Sequence, residues 1–543
     1  MQRFAALLAA LDATTSVAAR VAALAAYLRE APAEDRLWTV ALLSGRRPKR
    51  TVTAGELRLW AAERAGLPDW LFAEAHAVTG DLAETIALVL PEPQGRDGAG
   101  LAVWIGRIRA LAGRPAAARK EAILAAWDRL GGEERFLFNK LITGGFRMGV
   151  SRRLVTRALA AATGLPEALV QERLMGDWDP AQTDLAGLLS AGDGSAPPGR
   201  PYPFCLAPPL DIPPARLGDP ADWLAEWKWD GIRGQLVRRG GTHHLWSRGE
   251  DLITDRFPDL APLARALPAG TVIDGEILAW GGQAPLPFAA LQKRIGARRV
   301  SGALLAAAPA VLMGYDLLEW QGRDIRARPL AERRALLDGL VADLPPGLPL
   351  RLSPAAGFAA WDELAALRGQ ARGRGAEGLM LKRRASPYGA GRRRGDWWKW
   401  KLDPMTVDAV MIYAQAGHGR RAGLFTDYTF ALREGDGLVP FARAYSGLTD
   451  GEFAEITDWV RRNTLDRWGP VRAVPPVQVF EIAFEGIAPS RRHRSGIAVR
   501  FPRILRWRRD KPAAEIDSLA TLRSLLGGDP RGSAPDPGVL GPE

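Results

Sequence analysis

The segment Glu226-Trp-Lys228-Trp-Asp230-Gly231-Ile-Arg233 sets a lysine, two carboxylates and an arginine close together, at what reads as a strand edge entering a tight turn. At average residue usage the four fixed positions of its KxDGxR core arise by chance in roughly 1 in 100 chains of this length. Two readings are open here: a nucleophilic lysine among charged neighbours, or a surface Asp-Gly hairpin turn flanked by basic side chains. Further groups follow in order: Ser247-Arg248, Asp274-Gly275-Glu276, Tyr315-Asp316, Glu377-Gly378-Leu-Met-Leu-Lys382, Trp397-Trp-Lys399-Trp-Lys401, and Arg500-Phe-Pro-Arg503 through Asp510-Lys511. Glu276 and Glu377 stand at the ends of apolar runs, where carboxylates suit Mg2+, which prefers oxygen ligands, water and phosphate. A solvated edge charge is the alternative for each. Lys382, Lys399 and Lys401 are open to two roles, as edge-strand gatekeepers or as groups that neutralise a phosphate and the charge developing in a transition state.

With these motifs in this order, the chain resembles the covalent nucleotidyltransferase superfamily and, within it, the ATP-dependent DNA ligases, from about residue 207 to 511. The segment Lys140-Leu-Ile-Thr143-Gly144-Gly145-Phe-Arg147-Met-Gly149-Val150 extends the likeness, being similar to the DNA-encircling domain of larger ligases. The resemblance implies ATP as AMP donor and Lys228 as the nucleophile. A lysine attacks phosphorus as the uncharged amine, a form that neighbouring cations such as Lys399 and Lys401, or a metal ion, would favour. The resemblance also implies Glu226 at the adenine edge and Tyr315 stacked on its face, with Asp230, Arg233, Arg248, Glu276, Lys382, Lys399 and Lys401 around the rest of the nucleotide. Most family members carry Phe where this chain has Tyr315, and stacking survives that change. Glu276 and Glu377 would hold Mg2+ or Mn2+. Arg500 and Lys511 would orient the pyrophosphate leaving group when the C-terminal domain swings onto the pocket. In the helical part, Thr143-Gly144-Gly145 lets backbone amides approach a phosphate. Lys140, Arg147 and Gly149 belong to the same motif, and Arg152, Arg153 and Arg157 add charge nearby. A turn between helices with basic residues on its wet face is the alternative there.

The elements that must position these groups fall into three units. Up to about residue 188 the chain is rich in Ala, Leu and Arg, with apolar residues at helical spacing over 20–28, 101–111 and 154–162, and this predicts an all-α domain, which the resemblance implies is the DNA-binding one. Gly and Pro crowd 189–206, which reads as a linker. From 207 to 402 short β-like runs mix with helical stretches such as 330–340, which suits an α+β domain, by the resemblance the adenylation domain. From 403 to 524 alternating runs are interrupted by one helix over 450–463, which suits an all-β domain, a five-stranded barrel of OB-fold type. Residues 525–543 hold too little apolar surface to pack and read as a disordered tail.

Composition narrows the partners. Lys and Arg number 73 against 61 Asp and Glu in 543 residues, a net charge of +12 that favours a polyanion such as nucleic acid. No run approaches the roughly 18 apolar residues of a spanning helix, and the start lacks the order of a signal peptide, so a cytoplasmic protein without a membrane partner is expected. Cys205 is the only cysteine, which excludes an intrachain disulfide and a zinc site built from several cysteines. The histidines His76, His243, His244, His418 and His493 show no metal-ligand spacing. An NAD-dependent ligase would carry a four-cysteine zinc module, and a capping guanylyltransferase or RNA ligase would lack the LITGGFRMGV segment. A binding protein, a degenerate ligase scaffold that clamps nicked DNA without chemistry, is opposed by Lys228, Glu377, Lys399 and Lys401 standing together. The expectation is therefore a monomeric, ATP-dependent DNA ligase acting on nicked double-stranded DNA. The resemblance implies a repair setting beside a helicase and a nuclease.

Overall fold

The computed structural model describes residues 1–527 apart from 15, 147–148, 177, 191–198, 298 and 418–422. Arg147, His418, the middle of the expected linker and the tail from 528 onward lie outside the described residues. The first part of the chain is helical, from Gln2–Asp12 to Leu185–Ser190. Its helices start where polar side chains satisfy the free amides. Thr53 and Glu56 form a reciprocal capping box, Asp81 accepts from the amides of Ala83 and Glu84, and Ser151 accepts from Leu154. Helix Arg152–Thr163 buries Leu154, Val155, Ala158 and Leu159, the stripe its apolar spacing predicts, against a core that includes Phe4, Leu24, Trp127 and Phe138.

Two antiparallel sheets carry the middle of the chain. One runs in the order Trp397–Lys401, Ala376–Arg383, Trp223–Trp229, Ala355–Ala356. The other is built on Thr242–Ser247, Ile232–Arg239, Thr271–Gly281 and Ala310–Trp320, with Leu350–Leu352 added in parallel. Alternation along the first sheet sorts its side chains. Trp223, Ala225, Trp227, Trp229, Leu379, Leu381 and Trp398 enter an apolar cluster on one face. Glu226, Lys228, Met380, Lys382, Trp397, Lys399 and Lys401 line a cavity on the other.

Residues 199–206, expected as linker, do not run free. Tyr202 exchanges hydrogen bonds with the Gln235 side chain at 2.8 and 3.0 Å and donates its hydroxyl to Glu319 at 2.7 Å, while Phe204 and Cys205 are buried. The Pro and Gly residues break helix and strand as expected, but the aromatic side chains between them find a core. At the other end, helix Leu519–Gly527 buries Leu519 and Leu522 and runs past residue 525.

The C-terminal region forms an antiparallel sheet around Met405–Ala416, paired with Phe425–Glu434 on one edge and with Val471–Ala473 and Val479–Phe484 on the other. Helix Asp450–Arg462 interrupts it, and a separate ribbon pairs Gly486–Pro489 with Ile497–Arg500. The short hairpin Asp466–Trp468 with Val471–Ala473 and the ribbon bring the strand number above five.

One glycine is decisive. Trp227 pairs with Leu379 but Trp229 pairs with Ala376, so the Ala376–Arg383 strand carries an extra residue at Glu377-Gly378. Gly378 has φ +140°, and a Cβ there would meet the Trp400 carbonyl oxygen at 2.3 Å. Gly378→Ala is expected to cost about 1–3 kcal/mol in backbone strain alone and to displace Glu377. Urea unfolding of the variant checks this, and a stability within about 0.5 kcal/mol of the parent would refute it.

Candidate nucleotide site

The cavity between the two sheets has a volume of about 500 Å³. Glu226, Lys228, Asp230, Arg233, Arg248, Glu276, Tyr315, Glu377, Lys382, Lys399, Lys401 and Arg500 all line it. At its centre Lys228 Nζ donates to Glu377 Oε2 at 2.7 Å, and Lys401 Nζ lies 3.4 Å from the same oxygen. Burial alone would raise the Glu377 carboxyl, but Lys228 and Lys401 outweigh it and hold the group down at about 2. Glu276 goes the other way. Burial pushes it up to about 7, against the pull of Lys228 and Arg233 and with the push of Glu377. Burial also drives the Lys399 ammonium below the usual lysine range, helped by Arg392, Lys401, Lys228 and Arg248. These cations crowd one mouth, and an anion there would relieve their repulsion.

The inner end of the cavity is differently built. Glu226 is 1% exposed and is ion-paired with Lys382 through one oxygen and with Arg334 through the other at 2.5 Å. Lys382 Nζ lies 4.1 Å from the centroid of the Tyr315 ring and 4.4 Å from that of Trp397. The Tyr315 hydroxyl donates to Asp274 Oδ1 at 3.3 Å, a partner that Phe would lack. Arg233 is held from three sides. It forms a fork with Asp274 at 3.2 and 2.7 Å, donates to the Tyr388 hydroxyl at 3.2 Å and also donates to the Cys205 carbonyl. The expected ribose and phosphate contact therefore falls to a guanidinium already committed to the scaffold, whereas Arg248 is exposed at the mouth.

Arg500 enters from the C-terminal region, ion-paired with Asp230 and lying 4.5 Å above the Phe288 ring. Lys511 does not reach the cavity. Its Nζ donates to Asp408 Oδ2 at 2.7 Å, beside Arg508, because the turn after strand Arg503–Trp507 folds back onto Met405–Ala416. Among the helical candidates, Lys140 is ion-paired with Asp81 and Thr143 donates back to Asn139 O at 2.8 Å. Gly144 and Gly149 take φ +68° and +60°, and the Gly144 carbonyl accepts from Arg47 at 3.2 Å. Gly145 follows in the same turn, where an added Cβ would meet Thr143 Oγ1 at 3.3 Å. Sequence reasoning missed Asp274 as the common acceptor for Arg233, Tyr315 and Tyr388. It also missed Arg334, whose i,i+4 pair with Asp338 makes it look like an ordinary helix-surface charge.

Family models match the chain in three places: "DNA ligase N terminus" over 1–160, "ATP dependent DNA ligase domain" over 208–401 and "ATP dependent DNA ligase C terminal region" over 421–511. A probable DNA ligase of Koribacter versatilis is 35% identical over 97% of this chain and 96% of its own length. The chain belongs to the ATP-dependent DNA ligase family. A probable DNA ligase of Sorangium cellulosum is 32% identical over 88% of each chain. The solved structure described as "Pmar-Lig_Pre." is 15% identical, covers 93% of this chain and 99% of its own, and has a TM-score of 0.60, which shows a shared fold. The ligase thus has a helical N-terminal region, a β-rich adenylation domain and a C-terminal β domain. Among its described residues no helix is long and apolar enough to cross a membrane, and no group of three or more His, Cys, Asp or Glu could hold a metal ion.

The Glu276 shift gives a signed expectation. Its carboxyl titrates near 7 when folded and near 4.5 otherwise, so relative to a neutral side chain it costs nothing below about 4.5. That cost grows as pH rises to about 7 and is constant above. In chelator, Glu276→Gln should therefore gain thermal stability over the parent between those two pH values. A difference that is flat or falls over that window would refute the assignment.

Proposed function

We propose that this ligase seals nicks between a 5′-phosphate and a 3′-hydroxyl in duplex DNA, with Lys228 carrying AMP from ATP. The observation that carries the reading is the convergence of Lys228, Glu377, Lys399, Lys401 and Arg500 on one cavity whose far end holds Glu226 and Tyr315. In the first step Lys228 Nζ releases Glu377, loses a proton and attacks the α-phosphorus in line. The P–N bond forms as the bond to pyrophosphate breaks. AMP then passes to the 5′-phosphate of the nick, and the 3′-hydroxyl displaces it. Lys399 and Lys401 offset the charge that develops on phosphate oxygens, and Arg500 does so from the C-terminal side. Tyr315 and Glu226 would receive the face and edge of the adenine.

Glu276 and Glu377 are the carboxylates that would hold Mg2+ or Mn2+, and the donor chemistry fits. An acid that burial pushes up to about 7 beside a second carboxylate gains most from a divalent cation. Such an ion would supply charge neutralisation at the phosphates. A single cysteine supports a ligase without zinc. The domain limits we propose are a helical DNA-binding domain to about 188, an adenylation domain to 402 that already begins near 199, and a C-terminal domain of OB type from 403.

DNA would be gripped through the backbone. A second cavity of about 500 Å³ lies between the helical and adenylation domains, lined by Arg47, Gly149, Arg152, Arg248 and Gly249 among others. It shares Arg248 and Gly249 with the nucleotide cavity, so a duplex phosphate held there would lie next to the adenylate. Three domains in one chain can surround a duplex without a symmetry partner, which favours a monomer. Action in repair beside a helicase and a nuclease belongs to the same reading, on resemblance alone.

Lys228→Ala should form no adduct with labelled ATP on a denaturing gel and should fail on an ordinary nick, yet keep appreciable sealing of a nick already bearing 5′-AMP. Glu377→Ala should lose both substrates. Normal labelling of Lys228→Ala would overturn the nucleophile assignment. Affinity for nicked duplex should fall by orders of magnitude between about 50 and 200 mM salt if several phosphates are contacted. A dissociation constant that barely changes over that range would contradict the proposed grip.

A further inference from the structure

We propose that Arg334 is a positioning residue for nucleotide selection: it fixes the Glu226 carboxylate as an acceptor for the exocyclic amine of adenine, so that the pocket prefers ATP to GTP. The inference rests on the reading of the cavity as the nucleotide site. Glu226 and Lys228 are two residues apart on one strand and face the same side, about 7 Å from each other along it. One can therefore meet the base while the other meets the α-phosphate.

Arg334 lies on helix Leu330–Asp343, outside every motif that marks the site in sequence. All three of its nitrogens are engaged. Nη1 donates to Glu226 Oε1 at 2.5 Å, Nη2 to the Ser353 carbonyl at 2.7 Å and Nε to Asp338 Oδ1 at 2.8 Å. The planar fork thus ties the Glu226 strand to the Ser353 loop, and Ser353 itself lines the cavity and accepts from Trp229 Nε1 at 3.2 Å. The other partner of Glu226, Lys382, is a point charge on a flexible stem and cannot set the plane of the carboxylate. An ionised carboxylate only accepts. Each of its oxygens has a second lone pair beyond those taken by Arg334 and Lys382, which matches the 6-amino group of adenine and repels the 6-oxo group of guanine. Without the fork, Glu226 is free to turn toward Lys382 and lose that aim.

The test is the rate of enzyme–nucleotide adduct formation with labelled ATP and labelled GTP. Arg334→Ala should raise the KM for ATP by about tenfold to a hundredfold, the loss expected for a hydrogen bond to a charged group, with a smaller change in kcat. Its preference for ATP over GTP should fall by a similar factor. Arg334→Lys, which keeps one donor and the charge, should lie between the two and carries the test where the alanine variant does not fold. Asp338→Ala removes only the outer partner and should leave both nucleotide parameters at parent values. An Arg334→Ala or Arg334→Lys protein with parental KM and parental preference, even one with a lowered melting temperature, would overturn the inference. A parent protein that takes no label from ATP would instead overturn the ligase reading.

Discussion

The site depends on one irregularity in one strand pair. Side chains on Ala376–Arg383 alternate, so Met380 and Lys382 face the cavity while Leu379 and Leu381 face the apolar cluster. By that alternation Glu377 would join the apolar face. The extra residue at Glu377-Gly378 reverses the parity and turns the carboxylate to the same side as Lys228. A regular strand would bury an unpaired carboxylate among tryptophans and leave Lys228 without its partner. The Glu-Gly dipeptide is therefore a statement about backbone geometry as much as about a functional group.

Two carboxylates in the same cavity are pushed in opposite directions. Glu377, between Lys228 and Lys401, is held at about 2, and Glu276, buried with less compensation, rises to about 7. Lys399 is pushed down by burial and by its cationic neighbours. The protein's own groups thus set excess positive charge at the mouth and a poorly solvated acid at the wall. Under the proposed function, a triphosphate with a divalent cation would offset both together.

The motif positions were legible because alternation and order are sequence properties. Glu226 and Lys228 sit two apart within a short apolar run, as do Lys399 and Lys401, and Lys382 stands two beyond Met380, so a period of two places each set on one face. Long helices and strands were legible for the same reason. Three things were not. Lys511 falls in the same motif as Arg500, but a turn after Trp507 sends it to Asp408, and turn direction after a strand is set by tertiary packing. Arg334 has the local environment of a surface residue, and only the fold reveals that its helix end lies against Glu226. The stretch 199–206 has a linker's composition, and its aromatic residues are buried by a sheet that the local sequence does not announce.

Polar pairs link the outer domains to the adenylation core. On the C-terminal side these include Arg500 with Asp230 and Lys401 with Glu485 at 3.6 Å, and on the helical side Arg152 with Glu250 at 2.6 Å and Arg326 with Glu172 at 3.6 Å. Most of these side chains are partly exposed, so each pair is worth on the order of 1 kcal/mol. Contacts of that strength hold an arrangement without locking it. Arg500 and Lys401 are also cations of the nucleotide cavity, so the groups that close the C-terminal domain are those a phosphate would recruit. Binding and closure therefore compete for the same charges. Under the proposed function, a bound phosphate would draw Arg500 and Lys401 away from Asp230 and Glu485 and so loosen the C-terminal domain, and loss of the anion would restore those pairs.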